Sequence, residues 1–174
     1  MPEFGYSWST GARHAKAMGI DINASYKDLS QVCAAIKGKT ADAARSLLEK
    51  ASAGEVPILF KRFNKKLGHR RELGGRKGRW PRKAASEVLK VLENAAANAS
   101  FKGLGEPLLV AHACANKMGV LPRLQSKGRR IRSDLETAKV EVILVEAPGA
   151  KPVARKEEKK EKKEERKEKI KAVA

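Results

Sequence analysis

The sequence predicts an α+β fold with one long extended β-hairpin and a disordered, charged C-terminal tail. Three observations predict it. Apolar residues recur at helical spacing in three separate segments, two apolar runs of strand length lie in the second half, and the residues from 151 onward offer almost nothing to a core.

The first element is a short strand in "RHAKAMGIDIN", where Ile20 and Ile22 flank Asp21. It leads into "NASYKDL", with Asn23 or Ser25 as the cap of a first helix. Leu29, Val32, Cys33 and Ile36 then fall at i, i+3, i+4 and i+7, and Gly38 stops the helix. Thr40 caps a second helix whose apolar face is Ala44, Leu47, Leu48 and Ala51, ended by Gly54. Pro81 suits the first turn of a third helix, and Ala85, Val88, Leu92, Ala95 and Ala99 form its stripe up to the break at Gly103-Leu104-Gly105. The runs 107–118 and 138–147 read as strands.

If those two strands pair antiparallel, the segment between them is the outer part of a hairpin, about 114–141. Its arms reach roughly 30 Å beyond the sheet, at about 3.3 Å per residue. A two-stranded ribbon of that length is marginal in water and needs support from outside the chain. The segment "LPRLQSKGRRIRSD" carries five basic residues before its first acid, Asp134, so the support is expected to be anionic.

Charge points the same way. The 174 residues hold 38 Lys and Arg against 20 Asp and Glu, a formal net charge of +18 with a pI near 10.1. Such a chain expects a polyanion. The tail from Lys151 has eleven basic and six acidic residues, and removing its net +5 from +18 leaves +13 on residues 1–150. Between "EVPILF" and the third helix lies the stretch 61–83, with eleven basic residues, one acid, five glycines or prolines and no apolar period. It reads as an extended surface loop.

Each residue type in that loop has a reason to be there. Lys61, Arg62, Lys65, Lys66, Arg70 and Arg71 neutralise phosphates, as do Arg76, Lys77, Arg79, Arg82 and Lys83 further on. His69, within the basic run, is another contact. Gly74, Gly75 and Gly78 let the backbone approach a sugar-phosphate chain. Trp80 or Phe63 can stack on an unpaired base, although Trp80 can equally staple the start of the third helix to the core. RNA is favoured over DNA because no helix concentrates base-reading side chains, whereas irregular basic loops suit folded RNA.

Other classes are disfavoured. No nucleophile with a base, carboxylate pair or Gly-Lys-Ser/Thr phosphate loop is visible, so no catalytic residue is assigned. A nuclease built on His69 would lack its carboxylates. His112, alternating with apolar neighbours, reads as a satisfied sheet histidine. Metal-ligand spacing is missing, and no cofactor or metal is expected. The isolated Cys33 and Cys114 read as reduced thiols in a cytosolic setting. No apolar run spans a bilayer, and the helices lack the large apolar faces of a membrane-surface protein.

The run "GRWPRKAA" entering an alanine-rich helix, the helix pair "AIKGKTADAARSLLEK" and the hairpin ending "SKGRRIRSDLETAKVEVILVEA" together resemble the universal large-subunit ribosomal protein twenty-two family, in its archaeal and eukaryotic form. The similarity covers roughly residues 12–147. It implies three helices packed on a small three-stranded antiparallel sheet. It also implies a non-enzymatic constituent of the large ribosomal subunit, in the cytoplasm, that binds rRNA with residues 1–150. The long hairpin would thread inward and line the nascent-polypeptide exit tunnel.

By this resemblance the hairpin tip runs from Leu121, Pro122, Arg123 and Leu124 through Gln125 and Ser126. Lys127, Gly128 and Arg129 match the family's basic-Gly-basic turn, followed by Arg130, Ile131 and Arg132. Gly128 would permit close backbone approach. The implied partners are large-subunit rRNA, neighbouring ribosomal proteins, the passing nascent chain and tunnel-exit targeting or chaperone factors. No homo-oligomer is expected. Residues 151–174 form a low-complexity Lys/Glu tail outside the family pattern. A free RNA chaperone or RNA-processing factor is the alternative.

Overall fold

The structure, a computed structural model, describes residues 5–8, 13–126, 128 and 130–151. The tail expected to be disordered lies, beyond Lys151, outside the described residues.

The strand expected around Ile20 starts earlier, because Ala15 and Ala17 alternate inward with exposed neighbours. It forms β1 (His14–Ile22). Helix α1 (Tyr26–Ile36) buries Leu29, Val32, Cys33 and Ile36, the four residues of its periodic face, together with Gln31. Ser25 is its N-cap in position, but its side chain makes no capping hydrogen bond. Helix α2 (Ala41–Ala53) is capped as the sequence indicates. Thr40 accepts a hydrogen bond from the Ala43 amide, and Gly54 closes the helix at φ 87°, a left-handed conformation that glycine reaches without penalty. After the basic stretch, α3 (Arg82–Phe101) follows Pro81 and buries Ala85, Val88, Leu92, Ala95 and Ala99 to 2 % exposure or less.

The two late strands are longer than their apolar runs. With the short strands of the basic region labelled β2 (Ile58–Leu59), β3 (His69–Arg70) and β4 (Arg76–Arg79), they are β5 (Glu106–Leu121) and β6 (Leu135–Lys151). The main sheet has the order β1-β6-β5, and both pairings are antiparallel. Its core lies between β6 and the helices, where Ala138, Val140, Val142 and Leu144 meet Val88, Leu92, Leu29 and Val32 in one cluster. The small residues of α3 permit close approach, and Gly19 of β1 leaves room for Val91, which a Cβ there would meet at 2.8 Å.

Within the body, both sheet edges are contacted. Gly38 donates to the Val110 carbonyl and Val110 donates back to Lys39, so the α1–α2 link runs along β5. Asn98 of α3 and Lys102, its C-cap residue, donate to the Lys16 and His14 carbonyls of β1. Covered edges suppress strand-to-strand aggregation.

The main correction concerns residues 61–83. The extended loop expected there is largely folded: β2, β4 and β3 form a second antiparallel sheet, and a 3-10 turn (Arg71–Leu73) joins β3 to β4. A few anchors suffice without any apolar period. Ile58, Phe60 and Leu67 are buried, and the Gln31 side-chain oxygen Oε1 accepts from the Lys61 and Arg62 amides at 2.9 and 3.2 Å.

Two substitutions test this account by urea denaturation. Leu92→Ala is expected to cost about 2–5 kcal/mol through the lost transfer energy and the cavity. Thr40→Ala is expected to cost about 1 kcal/mol, the usual worth of an N-cap. Equal effects of the two would contradict the placement of Leu92 at the centre of the core.

Candidate nucleic-acid interface

The second sheet is a platform for cations. Ile58 pairs with Arg79 and Leu59 with Gly78 on one side of β4, and His69 pairs with Lys77 and Arg70 with Arg76 on the other. Gly74 and Gly75, at φ 64° and 76°, turn the chain between the 3-10 turn and β4, their amides donating to the Arg71 and Arg70 carbonyls. Two successive left-handed residues make glycine the natural choice there.

From this platform Lys61, Arg62, Lys65, Lys66, Arg71, Arg76 and Arg79 project into solvent, and Arg82 and Lys83 continue the surface at the start of α3. Arg70 and Lys77 are half-buried. The single acid of the segment, Glu72, cannot balance them, so the surface repels itself until counter-charge arrives.

Three of these residues also make contacts within the protein. Gly78 is buried, and a Cβ there would meet Leu73 at 2.3 Å and the Ile58 carbonyl at 2.7 Å. Its missing side chain leaves room for close contact between the strands. Trp80 is covered on one face by the Arg70 guanidinium at 4.4 Å, which Arg70 Nε holds by donating to the Gly78 carbonyl. His69 Nδ1 is engaged by the Gly75 carbonyl. The alternation of Ile58 and Phe60 is the sequence signal that could have revealed the second sheet.

The hairpin is the second candidate surface. Strand β1 ends at Ile22, opposite Ala138, and beyond that point β5 and β6 have only each other. The ladder runs through Leu121 and Leu135 and resumes at the tip as a Leu124–Arg132 bridge. There the Gln125 amide donates to Ile131 at 2.9 Å, and the Ser133 amide to Arg123 at 2.7 Å. Gly128 adopts φ 70° at the turn; Lys127 and Arg129 lie outside the described residues. Lys117 pairs with Glu136 and Arg132 with Asp134, while Arg123 and Arg130 pair with no described residue. Pro122 and Ser126 are exposed, and so are Val120, Leu121, Leu124 and Ile131, Leu124 to 72 %.

A third cluster was not legible in the sequence. Ser7 lies over the outer face of the main sheet, its amide and hydroxyl donating to Glu141 Oε2 at 2.8 and 2.7 Å. The same hydroxyl is 3.1 Å from His112 Nε2 and 3.3 Å from Cys114 Sγ, and Trp8 stacks on the His112 ring. His112, Cys114 and Glu141 place their ligand-type atoms within 4.8 Å of one another, a spacing that a metal ion can use. Here Ser7 Oγ sits among the three and Lys139 Nζ lies 2.6 Å from Glu141 Oε1, so hydrogen bonds and an ion pair already satisfy the group.

Burial pushes the Glu141 carboxyl up, but Lys139 and the two Ser7 donors outweigh it and leave the pKa below the usual value. Burial and Lys37 lower His112 against the raising effect of Glu141. Burial pushes the Cys33 thiol up to about 12 and raises Cys114 as well, so neither carries the thiolate that reactivity requires.

This arrangement defines a class: a binding protein with a rigid α+β body, a cationic platform and a projecting hairpin. Comparison with known proteins gives the family. The profile described as ribosomal protein L22p/L17e matches residues 17–145, and the chain belongs to that family. Its relatives include the large ribosomal subunit protein uL22 of Methanothrix thermoacetophila, 38 % identical over 84 % of this chain and 99 % of the relative. The protein of the same name from Archaeoglobus fulgidus is 44 % identical over 69 % of this chain and 79 % of the relative. That of Methanocaldococcus jannaschii is 41 % identical over 76 % and 87 %. The family is one of ribosomal structural proteins, not enzymes.

The Ser7 cluster has a definite pH dependence. Glu141 and His112 both have folded pKa values below their ordinary 4.5 and 6.5, so their stabilisation is present above those values and lost as pH falls through the folded ones. In a Trp80→Phe background, Trp8 emission is expected to stay constant at neutral pH. It should shift toward that of solvated tryptophan on acidification, first below 6.5 and then below 4.5. Glu141→Gln should remove the second step.

Proposed function

We propose that this chain is a structural constituent of the large ribosomal subunit, in the cytoplasm, that binds large-subunit rRNA and lines the nascent-polypeptide exit tunnel with its hairpin. Residues 1–150 act as the rRNA-binding unit. One observation carries the reading. Between residues 114 and 137 no described residue is buried, yet the strands remain hydrogen-bonded out to the tip. An unsupported ribbon of roughly ten residues per arm, about 30 Å long at about 3.3 Å per residue, is marginal in water. Its exposed arginines suit an RNA wall, which would supply the missing support.

The cationic platform fixes the body on rRNA. Lys and Arg there neutralise phosphates and release counterions, with the exposed members of 61–83 and of 121–132 as the binding groups. Membership in a family whose relatives are large ribosomal subunit proteins supports the large-subunit assignment. Neighbouring ribosomal proteins, the passing nascent chain and factors at the tunnel exit are the remaining partners.

Sucrose-gradient fractionation at moderate and high salt, with the protein tracked by mass spectrometry, separates an integral subunit from a free RNA chaperone. Near one copy per large subunit through the high-salt wash is the expected result. Loss into the free-RNA fractions would refute it. In purified form, replacing Lys65, Lys66, Arg71 and Arg76 by Ala should flatten the salt dependence of rRNA binding by about 0.7–0.9 in log-log slope per lost phosphate contact. Removing residues 121–131 should leave assembly largely intact and widen the tunnel at the hairpin. An unchanged tunnel would exclude the lining role.

A further inference from the structure

The N-terminus of α1 and the first turn of the basic segment flank an open cleft of about 720 Å³, within the size range of small-ligand sites. Its walls include Ser25, Lys27, Asp28, Phe63, Lys65 and Arg79. Phe63 is the large aromatic here, 37 % exposed and braced edge-on by Tyr26 at 5.8 Å. Its backbone sits at φ 54°, and Lys66 follows at 60°. Bulky L-residues rarely adopt that conformation, and such strain concentrates at ligand sites.

Trp80, the other aromatic of the segment, has one face covered by the anchored Arg70. At Phe63 the nearest cations stand further off, Lys27 Nζ at 5.7 Å and Arg62 Cζ at 5.5 Å from the ring centre. Both side chains are exposed and lie over the ring, and they would move onto phosphates when a planar group takes it. Asp28 lines the same cleft and makes no hydrogen bond or ion pair with a described residue. Burial raises its pKa, while Arg79 and Lys27 lower it.

We propose that this cleft binds one unpaired guanine of RNA, stacked on Phe63, with its Watson–Crick edge on the Asp28 carboxylate and its flanking phosphates on Lys27, Lys65 and Arg79. The chemistry selects guanine. A carboxylate is an acceptor on both oxygens, and guanine alone presents two adjacent donors, N1–H and the N2 amine, on that edge. Adenine and cytosine pair one donor with an acceptor that the carboxylate repels. Uracil offers one donor between two acceptors. The proposal rests on the RNA-binding reading above and assigns a base-specific contact within it.

The test uses the full chain and fluorescein-labelled single-stranded pentaribonucleotides of uridine with guanosine, inosine or adenosine at the centre, read by anisotropy across salt concentrations. Guanosine is expected to bind roughly tenfold tighter than adenosine, with inosine, which lacks the N2 amine, between them. Phe63→Leu should weaken the guanosine oligomer roughly tenfold with an unchanged salt slope, and Phe63→Tyr should retain binding. Asp28→Asn should erase the preference for guanosine and spare adenosine binding. Circular dichroism confirms that each variant is folded.

Salt-dependent binding with no base preference, or indifferent to Phe63→Leu, overturns the guanine site and leaves the RNA-binding reading standing. No salt-dependent binding to these oligomers or to large-subunit rRNA overturns both.

Discussion

Strands β5 and β6 go on hydrogen-bonding from Leu108 and Glu146 in the body to Leu121 and Leu135, past the last residue of β1. Every other feature is arranged around that ladder. Its inner half is the centre and one edge of the main sheet, where β6 is buried on both faces: Val140, Val142 and Leu144 toward the helices, Glu141 and Ile143 on the other side. Its outer half has no third strand and no helix. The same two strands thus hold the core together and carry backbone out of its reach. Helices and a third strand stabilise the inner half, while the outer half rests on its own ladder and on the Lys117–Glu136 and Arg132–Asp134 pairs.

A similar division of labour governs the cationic segment. Eleven basic residues in 61–83 cannot form a core, and their mutual repulsion favours an open chain. Three apolar anchors, the Gln31 clamp and a short ladder to β4 hold it nonetheless. Anchors face inward and charge faces outward, so ordering the segment preorganises cations for a polyanion instead of leaving that entropy cost to binding. The compact platform also explains why Gly78 and Arg70 serve the protein itself while their neighbours remain available.

The outer face of the sheet presents the opposite problem, a buried carboxylate. Glu141 is fully inaccessible, and an isolated ionised group there would be prohibitive. Ser7 and Lys139 resolve it with two hydrogen bonds and an ion pair. The polar cluster therefore fastens the N-terminal residues to the sheet and gives that attachment its sensitivity to acid.

Local pattern by itself determined the three helices, their faces, the Thr40 and Gly54 caps and the paired late strands. These follow from 3.6-residue periodicity, capping chemistry and strand-length apolar runs, each confined to a window of a few residues. Composition alone likewise marked 61–83 and the hairpin as cationic. The family resemblance supplied the three-stranded antiparallel sheet, and the structure its order, β1-β6-β5. Only the tertiary structure decided that the basic loop folds as a second sheet, because its anchors Ile58, Gln31 and Leu67 are separated in sequence and meet only after α1 is placed. It alone brought Ser7 to Glu141 across 134 positions, laid Arg70 against one face of Trp80 and set Phe63 and Asp28 along one cleft. Those outcomes depend on contacts between distant segments, whose geometry no local periodicity encodes.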